Sequence, residues 1–345
     1  MTDTLELTRP DDWHLHLRDG AALARTVPDT ARVFRRAIVM PNLVPPVTTV
    51  EAALAYRARI LEAAPEGSGF EPLMTLYLTD NTTPEEVRLA ASSEHVHGVK
   101  LYPAGATTNS DSGVTDLEGL TPVLEAMEDT GLPLLVHGEV TRGEVDVFDR
   151  ERVFLEERLA PTVERHPRLR VVFEHITTAE AAAFVEEARE GVAATITPQH
   201  LLMNRSDLFA GGLQPHHYCL PVLKRRRHQE ALQRAATSGS PRFFLGTDSA
   251  PHARSRKEAP CGCAGCYSAP HALQLYAHAF DELGALPALE GFASHHGPDW
   301  YGLPRNSERV RLRRSEARVP EILDYLPGDP LVPYWAGRSA GWELC

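Results

Sequence analysis

His14 and His16 stand two residues apart at the end of the apolar run Trp13-His14-Leu15-His16-Leu17. In an extended strand, residues two apart share a face. Both imidazoles therefore point one way, and Trp13, Leu15 and Leu17 point the other. Neutral imidazole is a good ligand for Zn²⁺. Further apolar runs carry ligand-type residues at their ends: Val99-Lys100-Leu101-Tyr102, Leu135-Val136-His137, Phe173-Glu174-His175 and Phe244-Leu245-Gly246-Thr247-Asp248. Taken singly, His137 and His175 read equally well as core histidines, and Asp248 as a helix cap. Together they occupy one consistent place, the strand end. A second His-x-His pair, His95 and His97, opens its run instead of closing it and is read as structural. His200, after Thr197-Pro198-Gln199, also lies at a strand end and is read as a supporting or structural residue.

Lys100 is the unusual member of this set. Burial and nearby cations both depress a lysine pKa, which favours the free amine. A free amine reacts with CO₂ to give a carbamate, a carboxylate on a long stem that can bridge two metal ions.

These residues need a scaffold that gathers strand ends. Strand candidates fall at 12–17, 36–41, 71–78, 96–102, 132–137, 169–175, 192–197 and 242–247. Helical patterns follow most of them. Thr48-Thr49-Val50-Glu51, Thr115-Asp116-Leu117-Glu118 and Thr177-Thr178-Ala179-Glu180 have capping-box spacing, and Gly131 suits the residue after a helix end. Longer amphipathic stretches lie near 148–165, 225–236 and 269–283. Strands that alternate with helices imply a parallel sheet. Eight of them favour an α/β fold of the closed (β/α)8 TIM-type barrel over a doubly wound sheet, with the chemistry at the C-terminal mouth. Residues 1–345 read as a single barrel domain, the barrel at about 8–284 and a C-terminal extension at about 285–345 that carries Trp300, Tyr301, Trp335 and Trp342.

Bulk properties exclude other classes. The net charge is −12, which offers no field for nucleic acid or an anionic membrane surface. Lys224-Arg225-Arg226-Arg227 is the exception and reads as a solvated helix start. No run approaches the ~18 apolar residues of a membrane span. Met1-Thr2-Asp3-Thr4 lacks the features of a signal peptide, so a cytoplasmic location is expected. The five cysteines (Cys219, Cys261, Cys263, Cys266 and Cys345) are an odd number, which argues for free thiols. The Cys261/Cys263/Cys266 run has three thiols and no fourth ligand at regular spacing.

The chain resembles the amidohydrolase superfamily, and within it the dihydroorotases of bacterial and yeast type. The resemblance rests on Arg9-Pro10-Asp11-Asp12-Trp13-His14-Leu15-His16-Leu17-Arg18, Met40-Pro41-Asn42-Leu43, Val99-Lys100-Leu101-Tyr102-Pro103-Ala104, Leu135-Val136-His137-Gly138-Glu139, Phe173-Glu174-His175-Ile176-Thr177-Thr178 and Leu245-Gly246-Thr247-Asp248-Ser249-Ala250-Pro251-His252. It runs from about residue 7 to about residue 305. It implies two Zn²⁺ per subunit, one held by His14, His16 and Asp248 and the other by His137 and His175. Lys100, as N6-carboxylysine formed with CO₂, would bridge them. It makes Asp248 the catalytic proton shuttle. Arg18, Asn42 and His252 would hold the substrate carboxylate, backbone at Leu220 and Ala264 would meet the ring, and Thr107 and Thr108 would lie on a mobile loop. Placing Ala264 against the ring favours a binding loop over a structural zinc site for the cysteine run. Asparagine is common in that class at the position of Gly105, an exchange that bears on loop mobility. The implied reaction interconverts L-dihydroorotate and N-carbamoyl-L-aspartate in pyrimidine (UMP) biosynthesis, and the implied assembly is a homodimer. A hydantoinase- or dihydropyrimidinase-like enzyme would share the metals without needing Arg18, Asn42 and His252 together. A catalytically silent barrel scaffold would need a broken ligand set, and the set is intact.

Overall fold

Eight short strands form one parallel sheet in strict chain order, and each is short because only its buried stretch needs to pair. In the computed structural model, which describes residues 3–345, they are preceded by β1 (Thr4–Thr8). The sheet comprises β2 (Asp12–Leu15), β3 (Arg36–Val39), β4 (Glu71–Tyr77), β5 (Val96–Leu101), β6 (Leu134–Val136), β7 (Val171–Phe173), β8 (Val192–Ile196) and β9 (Phe243–Leu245). A parallel bridge between Leu15 and Ser249 brings the last strand back to the first. Helices cover the outside, among them Leu23–Val33, Val50–Ala63, Pro84–Ala91, Thr121–Thr130, Ala179–Glu187, Arg226–Thr237 and Ala272–Glu282. This is the (β/α)8 barrel. The helix-facing residues form one continuous core, including Leu15, Leu17, Val39, Leu101, Val136, Phe173 and Leu245.

The barrel floor is a separate apolar layer of Trp13, Ile38, Met40, Leu73, Leu135, Val172, Ala193 and Phe244. Trp13 was expected on the helix side with Leu15 and Leu17. A register shift between Asp12 and Leu15 turns its ring under the barrel instead. There it stacks on Tyr301 at 4.5 Å and meets Phe244 edge-on at 6.2 Å.

Two of the three expected caps hold, each displaced by one residue, and the third does not. Thr49, Thr83 and Thr178 accept from the N–H three residues on, so each caps a helix. The capping-box spacing pointed one residue earlier, to Thr48 and Thr177. Thr177 is otherwise engaged, its hydroxyl donating to Glu151. Thr115 caps nothing, because its N–H and hydroxyl both go to Asp80. Gly131 ends its helix at φ 74°, and its N–H meets the Met127 carbonyl. Arg225, Arg226 and Arg227 are exposed, whereas Lys224 is buried and donates to the Val222 carbonyl.

Residues 285–345 wrap both ends of the barrel. Helical turns at 286–301 carry Trp300 and Tyr301 to the floor. Strand β10 (Arg309–Arg314) pairs with β1 and with β13 (Trp342–Leu344) in an antiparallel sheet. A hairpin of β11 (Leu323–Leu326) and β12 (Asp329–Leu331) lies nearer the mouth, where Asp329 accepts from Ser255. Among the described residues, no helix is long and apolar enough to cross a membrane.

Candidate metal centre

The strand ends deliver their side chains to one mouth. Imidazole Nε2 of His14 and of His16 lie 3.5 and 3.2 Å from Asp248 Oδ1. The three ligand-type atoms fall within 4.8 Å of one another. Backbone geometry fixes this grouping. The Asp248 N–H donates to the His14 carbonyl at 2.8 Å, and the His16 N–H to the Ser249 carbonyl at 2.9 Å. Asp12 locks the same junction by accepting from Thr247 N, Thr247 Oγ1 and His14 N. Its burial pushes the carboxyl up to about 7.

The other candidates complete a ring. The His175 ring is 4.8 Å from both His14 and His137, centroid to centroid. Lys100, at the end of β5, is wholly buried and its Nζ has no hydrogen-bond partner. Burial pulls its ammonium down to about 8, against the pull of Glu174 and Asp248. Burial also pushes His14 and His175 well below the ordinary imidazole range, so both are neutral and offer lone pairs.

Three of the four histidines are oriented from behind. His14 Nδ1 lies 2.9 Å from Glu174 Oε2, His137 Nε2 lies 2.8 Å from Glu139 Oε2, and His16 Nδ1 lies 2.8 Å from Asn42 Oδ1. Such partners fix which ring nitrogen faces a metal. They leave Nε2 of His14 and His16 and Nδ1 of His137 toward the centre. Thr195 serves two of these groups, donating its hydroxyl to Glu174 and accepting from the His175 N–H. Gly246 permits that approach, since a Cβ there would stand 2.6 Å from Thr195 Cβ. Behind His175, Glu151 accepts from the N–H and hydroxyl of both Thr177 and Thr178. Arg18, His175 and Asp248 all have positive φ (60°, 40° and 46°), which non-glycine residues hold only where surroundings enforce it. Glu139, Glu174 and Asp12 were not singled out from sequence. An acidic residue inside or beside an otherwise apolar strand run was the available signal.

The donor set fits a metal. Neutral imidazoles, a carboxylate and a buried amine converge, and His14 Nε2 and Lys100 Nζ are buried without hydrogen-bond partners. Unpaired buried polar atoms of this kind are costly unless something binds them.

Around the centre stand Arg18, Asn42, Tyr102, Thr107, Thr108, Leu220 and Ala264. Arg18 Nη1 is buried and unpartnered, while Nη2 is 3.1 Å from His252 Nε2. His252 Nε2 is also 2.9 Å from the Ala264 carbonyl. Asn42 donates to the Thr108 carbonyl at 3.0 Å, and Asn109 donates to the Asn42 carbonyl at 3.0 Å. The free space left is about 20 Å³, room for about one water. Gly105, in the same loop, has φ 74°, a conformation that glycine and asparagine both accept. His95 lies just before β5 and His97 near its start, at the opposite end of the strand from Lys100. His200 sits beside the centre without joining it, between Thr197 Oγ1 at 2.7 Å and the Pro221 carbonyl at 3.0 Å. The cysteine run contributes to no metal-binding group among the described residues.

Residues 12–312 match the model of the amidohydrolase family. The chain belongs to the amidohydrolase family. Within the amidohydrolases it is 64% identical over 344 residues to the dihydroorotase of Cupriavidus metallidurans, covering 99% of each chain. The dihydroorotase structure from Campylobacter jejuni superposes with a TM-score of 0.91 at 37% identity, over 100% of this chain and 98% of that one. The dihydroorotase of Saccharomyces cerevisiae in complex with 5-fluoroorotic acid superposes with a TM-score of 0.90 at 33% identity, over 100% and 99%.

Proposed function

We propose that this amidohydrolase is a dihydroorotase that interconverts L-dihydroorotate and N-carbamoyl-L-aspartate, in de novo pyrimidine synthesis. The observation that carries the reading is 64% identity to a dihydroorotase over 99% of the chain, with every ligand-type strand end intact. The family implies a metal cofactor. On our reading there are two zinc ions, one on His14, His16 and Asp248, the other on His137 and His175, with Lys100 as a carbamate between them. Bound zinc supplies Lewis acidity toward the amide carbonyl and activates water near neutral pH.

The protein's own groups supply the rest. Lys100 reaches the carbamate state because burial leaves a usable fraction of free amine at neutral pH. Arg18 Nη1, buried and unpaired, offers a charge-assisted hydrogen bond to the substrate carboxylate. Asn42 and His252 flank that site. Asp248 Oδ1 accepts the proton of the attacking water and returns it to the leaving ring nitrogen. Ring opening creates a second carboxylate and releases a proton, so acid favours ring closure. Thr107 and Thr108 fill the mouth, so a substrate ring enters only when their loop withdraws. The enzyme acts in the cytoplasm as a homodimer and takes a small-molecule substrate, neither nucleic acid nor membrane. The whole chain, 1–345, serves as one domain.

The test is turnover of L-dihydroorotate against hydantoin, with metal analysis of the same sample. Dihydroorotate turnover with about two zinc per chain is expected. Preference for hydantoin would move the protein to another cyclic-amide hydrolase, and no turnover of either would make it a silent scaffold.

A further inference from the structure

The cysteine run folds around a buried cation that the reaction does not use. Lys257 ends the short helix Arg254–Lys257 and is only 3% exposed. Its Nζ donates to the carbonyls of Tyr218, Cys263 and Gly265 at 2.8, 2.9 and 2.7 Å. An ammonium has three N–H donors, so all of them are used. The acceptors are backbone carbonyls from two separate loops. Tyr218 lies two residues before Leu220, and Cys263 and Gly265 flank Ala264. Leu220 and Ala264 both line the substrate pocket. The Gly265 N–H donates to the Tyr218 carbonyl at 3.0 Å, tying the loops a second time. A Cβ on Gly265 would stand 2.8 Å from the Ala250 carbonyl oxygen, so the second loop is held hard against the segment that carries His252. None of these acceptors is a thiol: Cys261 and Cys263 Sγ are 4.0 Å apart, and Cys266 Sγ donates to the His216 carbonyl.

We propose that Lys257 is a positioning residue for substrate recognition, drawing the 218–220 and 263–265 loops together so that Leu220 and Ala264 face the substrate ring. This rests on the dihydroorotase reading. A buried charge is expensive, and a lysine that only filled space would be replaced by methionine without loss. Here three charge-assisted bonds set the distance between two pocket walls, so their removal should loosen substrate binding and leave the metal chemistry in place.

The experiment compares wild type with Lys257→Met in steady-state kinetics on L-dihydroorotate, with zinc content and Tm measured alongside. The expected result is a KM raised about tenfold or more, kcat within about threefold of wild type, and unchanged zinc. A folded Lys257→Met with wild-type KM and only a lower Tm would overturn the proposal. If that variant does not fold, Lys257→Gln keeps donors for some of the carbonyls and should show the same KM shift in part. Failure of both variants to fold would also overturn it, since the lysine would then be purely structural. A wild-type protein inert toward dihydroorotate would instead sink the functional reading. Amide exchange then decides the inference: faster exchange in 216–221 and 261–266 of Lys257→Met supports it, and unchanged exchange overturns it.

Discussion

His14, His16 and Asp248 are bound to one another through the backbone, whereas Lys100, His137 and His175 arrive on three separate strands and are steadied one at a time. On the first side, Asp12 and the Asp248–His14 hydrogen bond join β2 to β9, and the ligand atoms already converge. On the second side, Glu139 and Glu151 act from behind, and the central group is an amine without a hydrogen-bond partner. The first side is complete as the chain folds. On the proposed reading, the second is complete only once Lys100 carries CO₂.

Replacing Lys100 by alanine should separate the two most sharply. Activity should fall on the order of a thousandfold. Small carboxylic acids should restore part of it, and metal analysis should find the first site better filled than the second. Full activity without added acid would end the bridging role. Asp12→Ala attacks the opposite side. It strands the Thr247 and His14 N–H groups in the core and should cost about 2–4 kcal/mol in denaturant unfolding. An unchanged midpoint would show that the junction does not depend on this carboxylate. Glu139→Gln is subtler. It should weaken metal at the second site by about 10- to 100-fold in a chelator competition, and leave the first untouched. Equal weakening at both sites would erase the distinction.

Acid provides a smaller and more general probe. Burial pulls both His200 and His271 down to about 4. A histidine depressed in the folded state stabilises it fully above the unfolded value near 6.5, and that contribution drains away as pH falls toward 4. Unfolding midpoints followed from pH 7 to pH 4 should therefore drop, and His200→Gln should flatten the slope. The smallest effect is expected at the far end of the barrel, where His97→Gln should leave turnover within about twofold because that pair lies away from the C-terminal mouth. A large loss there would contradict the division of the barrel into mouth and floor.

Much of this was legible because strands buried on both faces announce themselves as apolar runs. Chemistry stood out where such a run ended in a ligand, and the two His-x-His pairs differed by their place on the strand. What stayed hidden depended on contacts far apart in sequence or on local slips. Nothing near His14 points to Glu174. The register shift at β2 moved Trp13 to the floor, which simple alternation could not foresee. Strands β1 and β10 carry exposed charges such as Glu6 and Arg311, which read as solvated surface until they are seen paired at 3.1 Å. Lys257 lay outside every motif, since its partners are carbonyls and carbonyls carry no side-chain signature.

The pairing of β1 with β10 also sets an order of events during synthesis. Residues 4–8 leave the ribosome well before their partner strand, which begins at residue 309. The earlier strand must wait, edge uncovered, until that partner has emerged, so the barrel is clasped at its base only after all eight of its strands have been made.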